Sequence, residues 1–154
     1  MPKLDLDLAR FAEGFDFVVR EAIVPDLQAT TKPEAIREMV GALVKAGAIP
    51  AASQEGIIAA ILKREQLGST AVGNGVAIPH AKHEAVSHVV GNIGWSRQGI
   101  DFDSLDGQKV HLLVLLVSPL DRAGDHLRAL ENISRRLRDL PRPLVAPSSE
   151  TRER

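Results

Sequence analysis

Five histidines carry most of the chemistry open to this 154-residue chain, which has no cysteine. His80 closes the run Gly73-Asn74-Gly75-Val76-Ala77-Ile78-Pro79-His80. Proline restricts the backbone leading to the ring, and a neutral imidazole is available near pH 7. A histidine held in this way suits a nucleophile or an acid–base group. The glycines ahead of it permit two readings: a turn, which is glycine's ordinary use, or amides brought up against an anion. The run lacks the later glycine of a dinucleotide fingerprint and the Lys-Ser/Thr of a P-loop.

His126 follows Asp125 at the start of an expected helix. Free N–H groups and partial positive charge there favour a neutral imidazole and a nearby anion; an exposed helix-start histidine is the plainer alternative. Arg64, six residues before Thr70, could hold phosphate with its guanidinium fork. It would also sit well as a solvated cation at a helix C-terminus. His80, His83 and His88 lack the i, i+4 spacing of a zinc helix. With only Glu84 nearby and no thiolate, no metal is expected. His111 lies within an apolar strand pattern and reads as structural. No G-x-S-x-G is present to make a hydrolase elbow.

The elements that must position these groups follow from periodicity. Thr31 and Glu34 have capping-box spacing, and Ile36, Met39, Val40, Leu43 and Val44 form one apolar stripe, so a helix is expected over 31–47 with Gly47 ending it. A second is expected over 53–66, with Ile57, Ile58, Ile61 and Leu62 buried. Gly56 in its first turn costs about 1 kcal/mol relative to Ala, and the sequence offers no reason for it. Residues 68–80 read as loop or short strand. Strands are expected over 89–95 and 110–117, the second a nearly continuous apolar run, as if covered on both faces. Asp106-Gly107 between them signals a hairpin. A third helix is expected over 124–140. Leu4, Leu8, Phe11 and Phe15 predict a short N-terminal helix, and Ala22-Ile23-Val24 before Pro25 predicts a short edge strand. Helices packed on a mixed sheet result.

Composition bounds the possibilities. Hydrophobic residues at 44% and charged residues at 25% exclude a fully disordered or fibrous chain. Lys plus Arg number 19 against 20 Asp plus Glu, so net charge gives no reason to expect nucleic acid. No apolar run approaches the roughly 20 residues of a membrane span, and the N-terminus lacks a secretory pattern. A cytoplasmic protein without membrane insertion is expected.

The runs Lys63-Arg64-Glu65-Gln66-Leu67-Gly68-Ser69-Thr70 and Val72 to Lys82 closely resemble the phosphohistidine motif of a bacterial family. It comprises the IIA domains of the phosphoenolpyruvate-dependent sugar phosphotransferase system, of the fructose/mannitol/nitrogen-regulatory type. The likeness continues through Gly99-Ile100-Asp101-Phe102, Asp106-Gly107, the apolar strand to Val117 and His126-Leu127. It implies an α+β fold of three layers, α/β/α, with a mixed sheet of about four or five strands flanked by helices. The likeness covers the IIA-like domain (22–140); helical spacing makes 1–21 an N-terminal extension, and three prolines among polar residues make 141–154 a disordered tail.

The resemblance also implies roles. His80 would accept the phosphoryl group, His126 would contact it, Arg64 would stabilise it, and Thr70 occupies the family's hydroxyl position. The donor would be an HPr-type phosphocarrier, and no cofactor is implied. The acceptor would be a separate IIB component for sugar uptake or, alternatively, a regulatory target protein of the nitrogen type. Val76 and Ile78 are expected to be shared between core and carrier, with Lys82 and Arg64 facing phosphate. Family members usually continue with a further helix where this chain has Pro141-Arg142-Pro143; the Phe-rich N-terminal segment is a candidate to fill that layer.

Overall fold

The computed structural model describes residues 7–140. In chain order the elements are α1 (Leu8–Ala12), α2 (Lys32–Lys45), α3 (Gln54–Gln66), β1 (Ala71–Gly73), β2 (Val76–Ala77), β3 (His80–Lys82), β4 (Val90–Ile100), β5 (Val110–Ser118) and α4 (Ala123–Leu137).

The apolar run of β5 is central on every side. β2 and β3 pair with it in parallel, one after the other along one edge, and β4 pairs antiparallel along the other. β1 extends the sheet antiparallel to β2. Side chains alternate across the sheet. Leu113, Leu115 and Val117 meet α2 and α3 on one face, while Leu112, Val114 and Leu116 meet Phe11 and Ile133 on the other. The result is the expected three-layer arrangement around a mixed sheet, and the Asp106-Gly107 turn lies in the expected β4–β5 hairpin.

Local chemistry explains the helix limits. The Thr31 hydroxyl accepts from the Glu34 amide at 3.3 Å to start α2. At its end Gly47 takes a positive φ of 81°, and the Ala48 amide donates back to the Leu43 carbonyl at 2.9 Å. Gly56 also finds its reason: a Cβ there would come within 3.2 Å of His83 Nε2, so its absence lets the chain after β3 close on α3.

The N-terminal region differs from expectation. The helix covers only Leu8–Ala12, capped by Asp7, while Phe15 and Phe17 follow in irregular chain and pack with Phe11 beneath α4. Leu4 and the tail 141–154 lie outside the described residues. The strand expected at Ala22-Ile23-Val24 is instead a 3-10 turn at Arg20–Ala22 followed by one parallel bridge, Val24 to Gly94. The Asn92 side chain takes the Ala22 carbonyl at 2.9 Å, removing it from any ladder, and Pro25 has no N–H to continue one.

Gly91 marks a close approach of the β4 backbone to that of β5. A Cβ there would lie 2.0 Å from the Leu115 carbonyl oxygen. Backbone cannot yield as a side-chain tip does, so Gly91→Ala is expected to cost about 3 kcal/mol or more. Urea denaturation checks this; an unchanged midpoint would show that β4 and β5 can separate at that point without penalty.

Candidate functional site

His80 opens β3, where it pairs with Leu116 of β5, and the buried Pro79 precedes it. Its Nδ1 lies 2.8 Å from the Ile78 carbonyl oxygen. A carbonyl can only accept, so Nδ1 carries the proton and Nε2 keeps a free lone pair. His126 lies in the first turn of α4, buried, with its ring centroid 5.3 Å from that of His80. Its Nδ1 is 2.6 Å from the hydroxyl of Ser118, the last residue of β5. Strand end and helix start thus bring together two histidines that stand 46 positions apart (126 − 80).

Arg64 completes the group. Its guanidinium donates to the Gly68 carbonyl at 2.9 Å, closing the end of α3, and its charge helps to hold the His80 pKa down. Burial is the larger cause of that depression, with the Ile78 bond and Glu65 opposing it. The His126 imidazole is lowered further, to about 4, by burial first and then by His80 and Lys82. Both rings are therefore neutral at physiological pH.

A titration follows from this. An unfolded histidine takes up a proton near 6.5, whereas His126 in the fold resists until about 4. Its contribution to stability is complete above about 6.5 and is lost as pH falls toward 4. NMR titration should place the His126 midpoint near 4. A midpoint at or above the ordinary value would overturn the assignment of a desolvated ring.

Behind His80 runs a hydrogen-bonded line that only its Thr70 member signalled in the sequence. Partly exposed Lys32 pairs with buried Glu65 at 3.1 Å. Glu65 accepts from the Thr70 amide at 3.2 Å and also from the Thr70 hydroxyl. The Thr70 carbonyl accepts from the Ile78 amide at 3.0 Å, and the Ile78 carbonyl holds the His80 ring. Thr70 thus reaches His80 through Ile78, its hydroxyl proton being given to Glu65. Glu65 continues the buried stripe of Ile57 and Ile61 at four-residue spacing. A carboxylate on an apolar stripe requires a buried partner, and that was the available signal.

Other expected groups are elsewhere. Gly73, Asn74 and Gly75 all have positive φ (96°, 58° and 82°) and form the β1–β2 turn. Val76 pairs with Leu112, four residues along β5 from the His80 partner Leu116, so the turn lies roughly 13 Å away along the strand. The glycine run therefore serves as a turn; it is not an anion cradle beside His80. Val76 and Ile78 are buried in the core beneath α4 and are not shared with the surface. Among the described residues the large apolar side chains left exposed are Leu67, Val72, Leu105, Leu120 and Leu127. His83 accepts from the Ala85 amide, His88 is exposed, and His111 is bonded to the Ser96 carbonyl. Among the described residues no group of three His, Asp or Glu is placed to hold a metal, and no helix is long and apolar enough to cross a membrane.

The three-layer domain thus brings two imidazoles to within 5.3 Å of each other, centroid to centroid, near the charge of Arg64. Residues 16–141 match the model of the family described as "Phosphoenolpyruvate-dependent sugar phosphotransferase system, EIIA 2", and the chain belongs to that family. It is 41% identical over 124 residues to a nitrogen regulatory protein of Bradyrhizobium diazoefficiens, covering 80% of this chain and 79% of that one. It is 35% identical over 119 residues to the fructose-specific EIIABC component of Bacillus subtilis, covering 77% of this chain but only 18% of that much longer protein. The crystal structure of nitrogen regulatory protein IIA-Ntr from Neisseria meningitidis superposes with a TM-score of 0.70 at 30% identity, covering 79% of this chain and 81% of that one.

Proposed function

We propose that the protein is a phosphocarrier that accepts a phosphoryl group on His80 Nε2 from the phosphohistidine of an HPr-type carrier. The observation that carries this is the Ile78 carbonyl on Nδ1, which leaves Nε2 as an unprotonated nucleophile beside a second neutral imidazole. The Nε2 lone pair attacks phosphorus in line. The N–P bond to the carrier breaks, and its electron pair returns to the carrier's imidazole. His80 keeps its Nδ1 proton on the Ile78 carbonyl throughout. Arg64 and Lys82 offset the charge on the phosphoryl oxygens, and His126 donates to them.

Exposed Leu67 stands next to Gly68, to which Arg64 is bonded, and exposed Leu120 and Leu127 flank His126 in the chain. We place carrier docking on these residues, through a transient interface below about 1,200 Å². The phosphotransfer domain is assigned to residues 22–140, with 1–21 as an extension, in a cytoplasmic protein.

Transfer would continue to a separate IIB component for sugar uptake. A regulatory role, in which the phosphorylation state controls binding to another protein, is favoured by the match over four-fifths of this chain to the Bradyrhizobium protein. Incubation with phosphoenolpyruvate, enzyme I and HPr-type carriers tests the common step and should give an acid-labile label. Added IIB proteins should then discharge it if sugar transport is the role, and leave it in place if regulation is. No label with any carrier would overturn the proposal.

A further inference from the structure

Ser118 is fully buried at the end of β5, and among the described residues its hydroxyl has one hydrogen-bond partner, His126 Nδ1 at 2.6 Å. Two arrangements give such a contact. If Nδ1–H donated to the hydroxyl oxygen, the hydroxyl proton would be left buried without an acceptor, which is costly. If the hydroxyl donates to Nδ1, both groups are satisfied. We infer that Ser118 is a positioning residue that fixes His126 as the Nε2–H tautomer, so that its unengaged nitrogen is a hydrogen-bond donor at the His80 site.

The paired rings are then set in opposite senses. His80 is protonated on Nδ1 by a backbone acceptor and presents a lone pair. His126 accepts at Nδ1 from a hydroxyl and presents a proton. Because His126 is neutral at physiological pH, it can donate from only one nitrogen, and the choice between them decides whether it helps or repels a phosphoryl oxygen. Ser118 belongs to the strand that also pairs with β3, where Lys82 lies opposite it. The same backbone therefore aligns the nucleophile and the group that sets its neighbour. The inference rests on the proposed role of His80 for its functional meaning, but the tautomer itself can be measured without phosphorylation.

The test is a long-range proton–nitrogen correlation spectrum of the uniformly labelled, unphosphorylated protein at neutral pH. His126 should show a protonated Nε2 and a hydrogen-bonded, unprotonated Nδ1, and His80 the reverse. In Ser118→Ala, which only removes an oxygen, the His126 Nδ1 resonance should move and tautomers should mix. Phosphoryl transfer from the carrier should slow by roughly two- to twelve-fold, as for loss of one neutral hydrogen bond. A protonated Nδ1 on His126 in the unaltered protein, or His126 nitrogen resonances unmoved by Ser118→Ala, would overturn the inference. A failure to label His80 with the tautomers as expected would sink the proposed function and leave the assignment of Ser118 standing.

Discussion

His80→Ala is expected to take up no phosphoryl group from the carrier while keeping its fold. β3 is held by backbone pairing of residues 80–82 to Leu116, Val117 and Ser118, and none of those bonds uses the imidazole. The ring is only half-buried, so its removal leaves no deep cavity. His126, with its ring centroid 5.3 Å away, is the group that would pick up label if the acceptor were misassigned. Acid-labile phosphate measured on the variant, alongside its denaturation midpoint, separates loss of the acceptor from loss of structure. Full labelling of a folded His80→Ala protein would remove His80 from its role.

The second large effect concerns the assisting groups. His126→Ala and Arg64→Ala should each slow transfer by roughly 10²–10³-fold, the usual consequence of losing one donor to developing charge. Both should still end with the phosphoryl group on His80. Arg64 also closes α3 through the Gly68 carbonyl, so Arg64→Lys is the sharper variant. It keeps a cation but not the planar fork, and should remain several-fold slow. Rapid-quench measurement of phosphoryl transfer decides the matter; unchanged rates in both alanine variants would exclude these residues from the site.

Much of this arrangement could be read before any coordinates. The cap at Thr31 and the stop at Gly47 bound α2 within two residues of expectation. The nearly continuous apolar run of β5 announced a strand covered on both faces. His80, His126 and Arg64 stood out through a resemblance extending over many residues, which single-residue chemistry could not have weighed.

What stayed hidden was non-local. No pattern in Ala22-Ile23-Val24 reveals that Asn92, 70 positions away, claims the Ala22 carbonyl. Val76 and Ile78 lie within the motif, but side-chain alternation through and just past β2 turns both inward beneath α4. Ser118 carries no motif; it matters only because the first turn of α4 brings His126 to it. Glu65 was legible in principle, as a carboxylate in phase with buried isoleucines, whereas its partner Lys32 was not.

The placement of β5 has a consequence for amide hydrogen exchange. A strand with neighbours on both edges and apolar layers on both faces has no local route to open, so its amides should exchange only when the whole domain unfolds. Both histidines are anchored to that strand, His80 by ladder pairing and His126 through Ser118. If His80 carries the proposed phosphoryl group, its arrival there should leave the backbone beneath it unchanged. Under the regulatory reading, a partner would then have to sense the charge itself, at the surface where it is carried.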